Sequence, residues 1–422
     1  MGRKGTGVYR PGQASGEADH PVRARRVLLF SRDHPEKSKL GFVGIGIAAI
    51  AGSVDQTPRG QRSRSGLAAR LAVGLFAAHW ASVAAAVECD IGEPAATMRL
   101  FNGHDHLQEP SLAAGEVALA TLSAEGVSAG LLALGTPDSA DLVISLGLQA
   151  SSAYPVFAFV NPPAVIVAGG EKAFDATTLA FVQAQLDAGV VGIGEVSLRH
   201  SGPPALAANI AADDLGAQAL YAEAAARSVP ITIHFETRDK LAPGVDVESR
   251  IEELRSALAA HPNTVFIWAH LGDTGPETVR ALIEEFDNLY ADLSSRNPYF
   301  VRGWPVGLQS LGEGAAGTGN LKLAWKNLFE DHSDRFLFGL DLASEVRWAQ
   351  MPDVVAYYRS VLGQLSAGAA EKIACENARA LLAAPAVPGP GAAGLALLAL
   401  AILAAALVAL IRPKGQLETL PG

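Results

Sequence analysis

The sequence predicts a (β/α)₈ TIM barrel, and three observations lead there. Eight short apolar segments, near 98–102, 128–134, 155–160, 189–194, 230–234, 264–269, 288–292 and 335–340, are bounded by turn-forming or polar residues and read as strands. Helical patterns fill the intervals at 113–126, 178–188, 215–228, 247–260, 276–286 and 321–329. Apolar runs finish in metal-ligating residue types, and in a barrel of this kind functional groups gather at the C-terminal ends of the strands. A doubly wound open sheet is the alternative that fits the same alternation.

The first apolar run, 98–101, ends in Asn102-Gly103-His104-Asp105-His106. Side chains two apart in an extended chain share a face, so His104 and His106 point the same way and make half of a divalent-metal site. Later runs supply the other half: Glu195 after 190–194, His234 after 230–233, His270 after 265–269 and Asp341 after 335–340. A single strand-end histidine is usually a hydrogen-bonded structural residue. The ordered set carries the metal reading, and within it Glu195 has the simplest structural alternative, a pair with a nearby arginine. His200, Glu236, Arg238 and Asp273 are candidate pocket residues. Pro276 at a first helical turn and Asp213-Asp214 ahead of Leu215 are start signals for two helices. The long loop 294–320 holds Arg296, Tyr299, Arg302 and Trp304, which suit a lid over a polar substrate or else a disordered insertion.

Charge and cysteine usage narrow the function further. The 422-residue chain has a formal charge of -10. Residues 1–70 hold 13 basic and 5 acidic residues, which leaves 20 basic against 38 acidic in the rest. So acidic a body argues against nucleic acid as a partner; the expected partner is the small-molecule substrate of a metal site. Cys89 and Cys375 are the two cysteines, and neither lies in a Cys-x-x-Cys pattern. They lie just before the barrel and in its last helix, where they can pair or remain buried thiols.

The flanks divide as follows. Residues 1–65 are a basic low-complexity extension or an over-extended start of the reading frame. Residues 66–86 have the basic start, apolar centre and small-residue end of a signal peptide. After the barrel, 97–384, come a Pro/Gly hinge at 385–390, an apolar run of 21 residues at 391–411 and a basic-start tail, 412–422. A run of that length spans a bilayer. The expectation is therefore an exported, membrane-anchored protein with its barrel facing the periplasm or cell exterior.

Several motifs resemble the amidohydrolase superfamily, nearest its amidohydrolase 2 branch. They are Gly103-His104-Asp105-His106, His234, Ile267-Trp268-Ala269-His270-Leu271-Gly272, Tyr290-Ala291-Asp292-Leu293-Ser294, Leu337-Phe338-Gly339-Leu340-Asp341 and the closing 372–379. The resemblance covers roughly 97–383. It implies a first metal held by His104, His106, Asp341 and His234. His270 would bind a second metal or act as an acid/base or oxyanion-polarising group. Gly192-Ile193-Gly194-Glu195-Val196 is similar to the TatD deoxyribonuclease-like and phosphotriesterase-like branches, where an acidic group bridges two metals. The sequence departs from the pattern at Leu342, where a proline is common. Imidazole and carboxylate donors suit Zn²⁺, with Mn²⁺ or Fe²⁺ as alternatives, in one or two copies. An open position on such an ion acidifies water, with Asp341 as the general base. The implied activity is metal-dependent hydrolysis of an ester, lactone, amide or phosphoester; a decarboxylase on the same scaffold and a non-catalytic surface binding module are the alternatives. Val387-Pro388-Gly389-Pro390, the apolar run, Arg412 and Lys414 resemble a PEP-CTERM-type sorting segment.

Overall fold

The computed structural model describes residues 87–383, except 108–110, 135–145, 150, 151, 153, 202–207, 239–244, 301–309 and 314–319. Eight parallel strands follow one another in both sequence and space. They are β1 (Leu100–Leu107), β2 (Val127–Leu134), β3 (Val156–Val160), β4 (Gly192–Ser197), β5 (Ile231–His234), β6 (Phe266–Trp268), β7 (Leu289–Asp292) and β8 (Phe336–Leu337). Because each strand pairs with its sequence neighbour, the doubly wound alternative is excluded: such a sheet reverses its order part-way along. The seam between β1 and β8 is sewn by backbone groups. Gly103 N donates to Phe338 O at 2.7 Å, and Asp341 N and Leu340 N both donate to His104 O, at 2.9 and 3.1 Å. Side chains complete the seam, Leu340 N donating to Asn102 Oδ1 and Leu342 N to Asp105 Oδ1. The result is a nearly closed eight-stranded barrel.

Helices α1 (Leu112–Ala124), α2 (Ala176–Ala188), α3 (Leu215–Arg227), α4 (Val247–Ala260), α5 (Pro276–Glu285), α6 (Leu323–Asp331) and α7 (Glu345–Leu362) alternate with the strands. Their starts are written in the sequence. Asp175 caps α2 in a capping box with Thr178, Asp214 caps α3, Asp246 caps α4 and Pro276 opens α5. The helices turn apolar residues such as Leu220, Leu254, Leu282 and Val354 toward the strands, where Leu100, Ile193, Ile231, Phe266 and Leu289 are fully buried. Two small antiparallel ribbons, Val165–Ile166 with Lys172–Ala173 and Arg199–His200 with Ala208–Asn209, escaped the sequence reading because each strand is only two residues long.

The Cys89–Cys375 pair is a disulfide that joins the segment before β1 to the turn before the closing helix α8 (Asn377–Ala383). It closes the ring of the barrel at its ends, 286 residues apart. Substituting both cysteines with serine is expected to lower unfolding stability by about 2–4 kcal/mol. A urea midpoint that matches the wild type under non-reducing conditions would show that the bond does not form.

The exported, membrane-anchored expectation is overturned. Among the described residues no helix is long and apolar enough to cross a membrane. The longest of them, α7, carries Glu345, Arg347, Asp353 and Arg359 within its 18 residues, and charges at that density are expelled from hydrocarbon. The periplasmic placement and the membrane partner fall with it. The signal-like segment 66–86 and the apolar run 391–411 lie outside the described residues, as do Arg302 and Trp304 of the expected lid.

Candidate metal centre

Six sequence-marked residues, His104, His106, Glu195, His234, His270 and Asp341, come together at the C-terminal rim of the barrel. Strand β1 runs past both of its histidines to Leu107, further than the apolar pattern suggested, and the alternation of side chains holds: His104 Nε2 and His106 Nε2 lie 3.3 Å apart. Glu195 is the hub. Its Oε2 lies 3.3 Å from His106 Nε2 and 3.8 Å from His104 Nε2, and its Oε1 is 2.6 Å from His234 Nδ1 and 3.3 Å from His270 Nε2. Asp341 faces the same point from the segment after β8, with Oδ1 3.6 Å from His106 Nε2 and Oδ2 3.8 Å from His270 Nε2. All six are buried.

The backbone that presents these groups is unusual. Gly194 has φ of 136°, and a Cβ there would stand 2.7 Å from Thr232 O, so only glycine lets β4 approach β5 closely enough to deliver Glu195. After β6 the chain makes a left-handed turn, with φ of 57° at His270, 54° at Leu271, 61° at Gly272 and 54° at Asp273. Asp341, at φ of 58°, and Ser295, at 57°, are left-handed as well. Non-glycine residues in this region cost roughly 1 kcal/mol or more each and cluster where side chains must be aimed.

A ring of outer residues orients the inner ones. His104 Nδ1 donates to Asp292 Oδ2 at 2.8 Å, and His270 N donates to Asp292 Oδ1 at 3.1 Å. Ser294 Oγ gives its proton to Asp292 in a short hydrogen bond, so at 2.8 Å it must accept from His270 Nδ1. With Nδ1 protonated in both rings, the Nε2 lone pairs of His104 and His270 are left to face the centre. Asp341 Oδ2 is bound by the Arg347 guanidinium and the Ser295 hydroxyl. Asp292 was legible by the same strand-end rule as the others. Arg347 had no signal, because nothing local says that the first turn of α7 folds back onto Asp341. Arg296, expected on a lid, is instead buried, donating to His270 O and Thr274 O and lying over the Trp325 ring. Glu236 and Asp273 are buried, His200 is half-buried and Arg238 is exposed.

Electrostatics show what the site demands. Burial pushes the Glu195 carboxyl up, but His234 and His104 outweigh it and hold the group well below its usual range. Asp341 is likewise driven down against burial, chiefly by Arg347 and His270. Burial lowers His104, yet Asp292 and Glu195 raise it to about 10, and Glu195 lifts His234 to about 9 against the same penalty. Protons on the imidazoles thus answer the buried carboxylates. A divalent cation answers the same charge and releases those protons. Together with the convergent Nε2 atoms, this donor set fits such an ion. Two groupings stand within ligating range of one another, His104 with Glu195 and His270, and His104 with His106 and Asp341.

A family model described as Amidohydrolase matches residues 109–383. The match spans Glu195, His234, His270 and Asp341 and starts just after the two β1 histidines. No curated protein matches the chain. Solved structures with a similar chain path include an uncharacterised TIM-barrel protein from Bordetella bronchiseptica, 16% identical over 68% of this chain and 98% of that one, TM-score 0.48. A 2,6-dihydroxybenzoate decarboxylase from Rhizobium is 13% identical over 67% and 98%, TM-score 0.43. Dihydroorotase from Campylobacter jejuni is 14% identical over 66% and 81%, TM-score 0.42.

Proposed function

Because the chain belongs to the amidohydrolase family, we propose that it is a metal-dependent hydrolase that directs water at a small ester, lactone, amide or phosphoester. The observation that carries this reading is the convergence of the Nε2 atoms of His104, His106 and His270 on the Glu195 and Asp341 carboxylates. These five residues, with His234 through the Nδ1 that faces Glu195, would hold the cation, for which Zn²⁺ best suits the imidazole-rich donor set and Mn²⁺ or Fe²⁺ are alternatives. Once bound, such an ion supplies a Lewis acid and brings the pKa of water near 7.

The protein groups divide the remaining work. Asp341 Oδ2 is committed to Arg347 and Ser295. Its Oδ1, on the His106 side, is therefore the oxygen that takes a proton from water. Arg347 holds this carboxylate ionised, so it is ready as an acceptor and returns the proton readily to a leaving group. His270, with its proton on Nδ1, acts as a donor of electrons through Nε2 rather than as an acid. The alternative role of acid for His270 is thereby disfavoured. Asp292 and Ser294 keep the His104 and His270 rings aimed, which lowers the reorganisation needed during the reaction.

The test is a screen of the full chain, stripped by chelator and reloaded with Zn²⁺ or Mn²⁺, against esters, lactones, amides, phosphoesters and aromatic carboxylates. Hydrolysis of one class, lost on chelation and restored by metal, is the expected result. Release of CO₂ from an aromatic carboxylate with no hydrolysis would move the chain to the lyases. Absence of metal-dependent turnover in every class would leave a binding module and overturn the proposal.

A further inference from the structure

Strand β1 breaks step with its neighbour where it carries the ligands. Asn102 pairs with Gly130 of β2 and Asp105 with Leu132, so three residues along β1 match two along β2. A bulge of this kind re-aims side chains and leaves part of the backbone without ladder partners. Two buried side chains supply partners here. Asn102 Oδ1 accepts from His104 N at 3.3 Å and, across the barrel seam, from Leu340 N at 3.0 Å. Asp105 Oδ1 accepts from His106 N at 2.9 Å and, across the seam, from Leu342 N at 2.7 Å. Asn102 Nδ2 donates to Asp105 Oδ2 at 2.7 Å and joins the two.

We propose that Asn102 and Asp105 are positioning residues, a buried clamp that sets the spacing of His104 and His106 against Asp341. It rests on the metal centre proposed above and holds for any reaction performed there. The four amides in its grip belong to His104 and His106 themselves and to Leu340 and Leu342, which flank Asp341 on either side. His104, His106 and Asp341 are also a grouping whose ligand atoms lie within 4.8 Å of one another. Asp341 is left-handed, with φ of 58°, a conformation that persists only where the surroundings fix it. The clamp fixes the amide on each side of it. Backbone bonds of the seam reach Gly103 and His104; Asp105 extends the join to His106 and Leu342.

The polarity of the pair is fixed by its partners. Three N–H groups point at the Asp105 carboxylate, so both of its oxygens accept. Asn102 has to turn its oxygen to His104 N and Leu340 N, which leaves its amide nitrogen for Asp105. Asp105→Asn therefore keeps the shape but sets an NH₂ group against an N–H donor whichever way the new amide turns. Asn102→Asp sets carboxylate against carboxylate. A buried polar group facing its own kind is more costly than a bond never made. Exchanging the two, Asn102→Asp together with Asp105→Asn, restores every hydrogen bond of the clamp with only the central one reversed, and conserves net charge.

The experiment reads the metal centre without turnover. Full-length wild type, the two single variants and the exchanged double variant are stripped and loaded with Co²⁺, whose visible bands report ligand geometry, or with Zn²⁺, whose affinity is read by competition with a coloured chelator. Urea midpoints are measured alongside. Each single variant is expected to bind Zn²⁺ about 10–100-fold more weakly, the usual loss when a group that orients ligands is removed, and to shift the Co²⁺ bands. The exchange should return both readouts to those of wild type. Single variants with lowered urea midpoints but wild-type Co²⁺ bands and Zn²⁺ affinity would reduce the pair to a structural role and overturn the clamp. So would an exchanged variant no better than the singles, a comparison that decides the matter even where one single variant does not fold. Either outcome leaves the metal centre standing, whereas a wild type that binds neither ion overturns both.

Discussion

His104→Ala and Asp341→Asn are each expected to lower kcat by at least about 10²–10³-fold, the scale on which a preorganised charged or donor group acts in a water-poor site. The two residues are the first and last of the strand-end ligand types and face each other across the barrel seam, where Asp341 N donates to His104 O. Neither side chain supports the hydrophobic core, so both variants should unfold cooperatively. The His104 substitution removes an Nε2 donor and leaves Asp292 with Ser294 and the His270 amide as partners. The Asp341 substitution leaves the Arg347 guanidinium without its carboxylate. An effect smaller by an order of magnitude, about 10–100-fold, is expected for Asp292→Asn, which acts only by aiming His104. The measurement is kcat in buffer replete with Zn²⁺ or Mn²⁺, on the substrate class the screen returns. Near-normal kcat for His104→Ala or Asp341→Asn would remove that residue from the site.

Gly272→Ala is expected to damage both fold and site. A Cβ at this position would lie 1.7 Å from Trp268 Cζ2 and 2.0 Å from Cε2. The indole cannot move aside easily, being fully buried with Nε1 donating to Phe235 O at 2.8 Å. Nor can the backbone, because Gly272 O accepts from Thr237 N at 3.0 Å. The clash must be relieved by opening the left-handed turn that carries His270. Overpacking of this kind costs about 1–3 kcal/mol, and the displaced imidazole lowers kcat as well. Gly368→Ala is the control: a Cβ there meets nothing within 4 Å, so stability should hold or rise slightly. A urea midpoint for Gly272→Ala equal to that of the control would refute the steric argument.

Particular residues show where sequence reading succeeded. Helix α4 begins and ends where its pattern does, 247–260, because Asp246 caps it and its apolar residues recur at helical spacing. The metal-ligating types at strand ends were legible because a parallel barrel sends every strand toward the same rim, so Glu195, His234, His270 and Asp341 needed only to follow apolar runs. The strand ends themselves were less clear. The pattern carried β8 to 340, whereas the paired strand is Phe336–Leu337 and the chain leaves it to reach Asp341 in a left-handed conformation. Hydropathy cannot register that bend, since Phe338 and Leu340 are buried whether or not they pair.

The expected lid residue Arg296 shows the limit of composition at the scale of one side chain. A loop arginine reads as solvent-facing, but the tertiary structure buries it on the carbonyls of His270 and Thr274. By itself the sequence determined the barrel, the order of its strands and six of the groups at its rim, because periodicity and strand-end position are local properties of the chain. Only the tertiary structure decided that Glu195 is the hub, that Arg347 grips Asp341 and that His234 meets Glu195 through Nδ1. Those facts depend on distances between residues 6 to 91 positions apart in sequence, and on which nitrogen of a ring meets which carboxylate, and no local pattern encodes either.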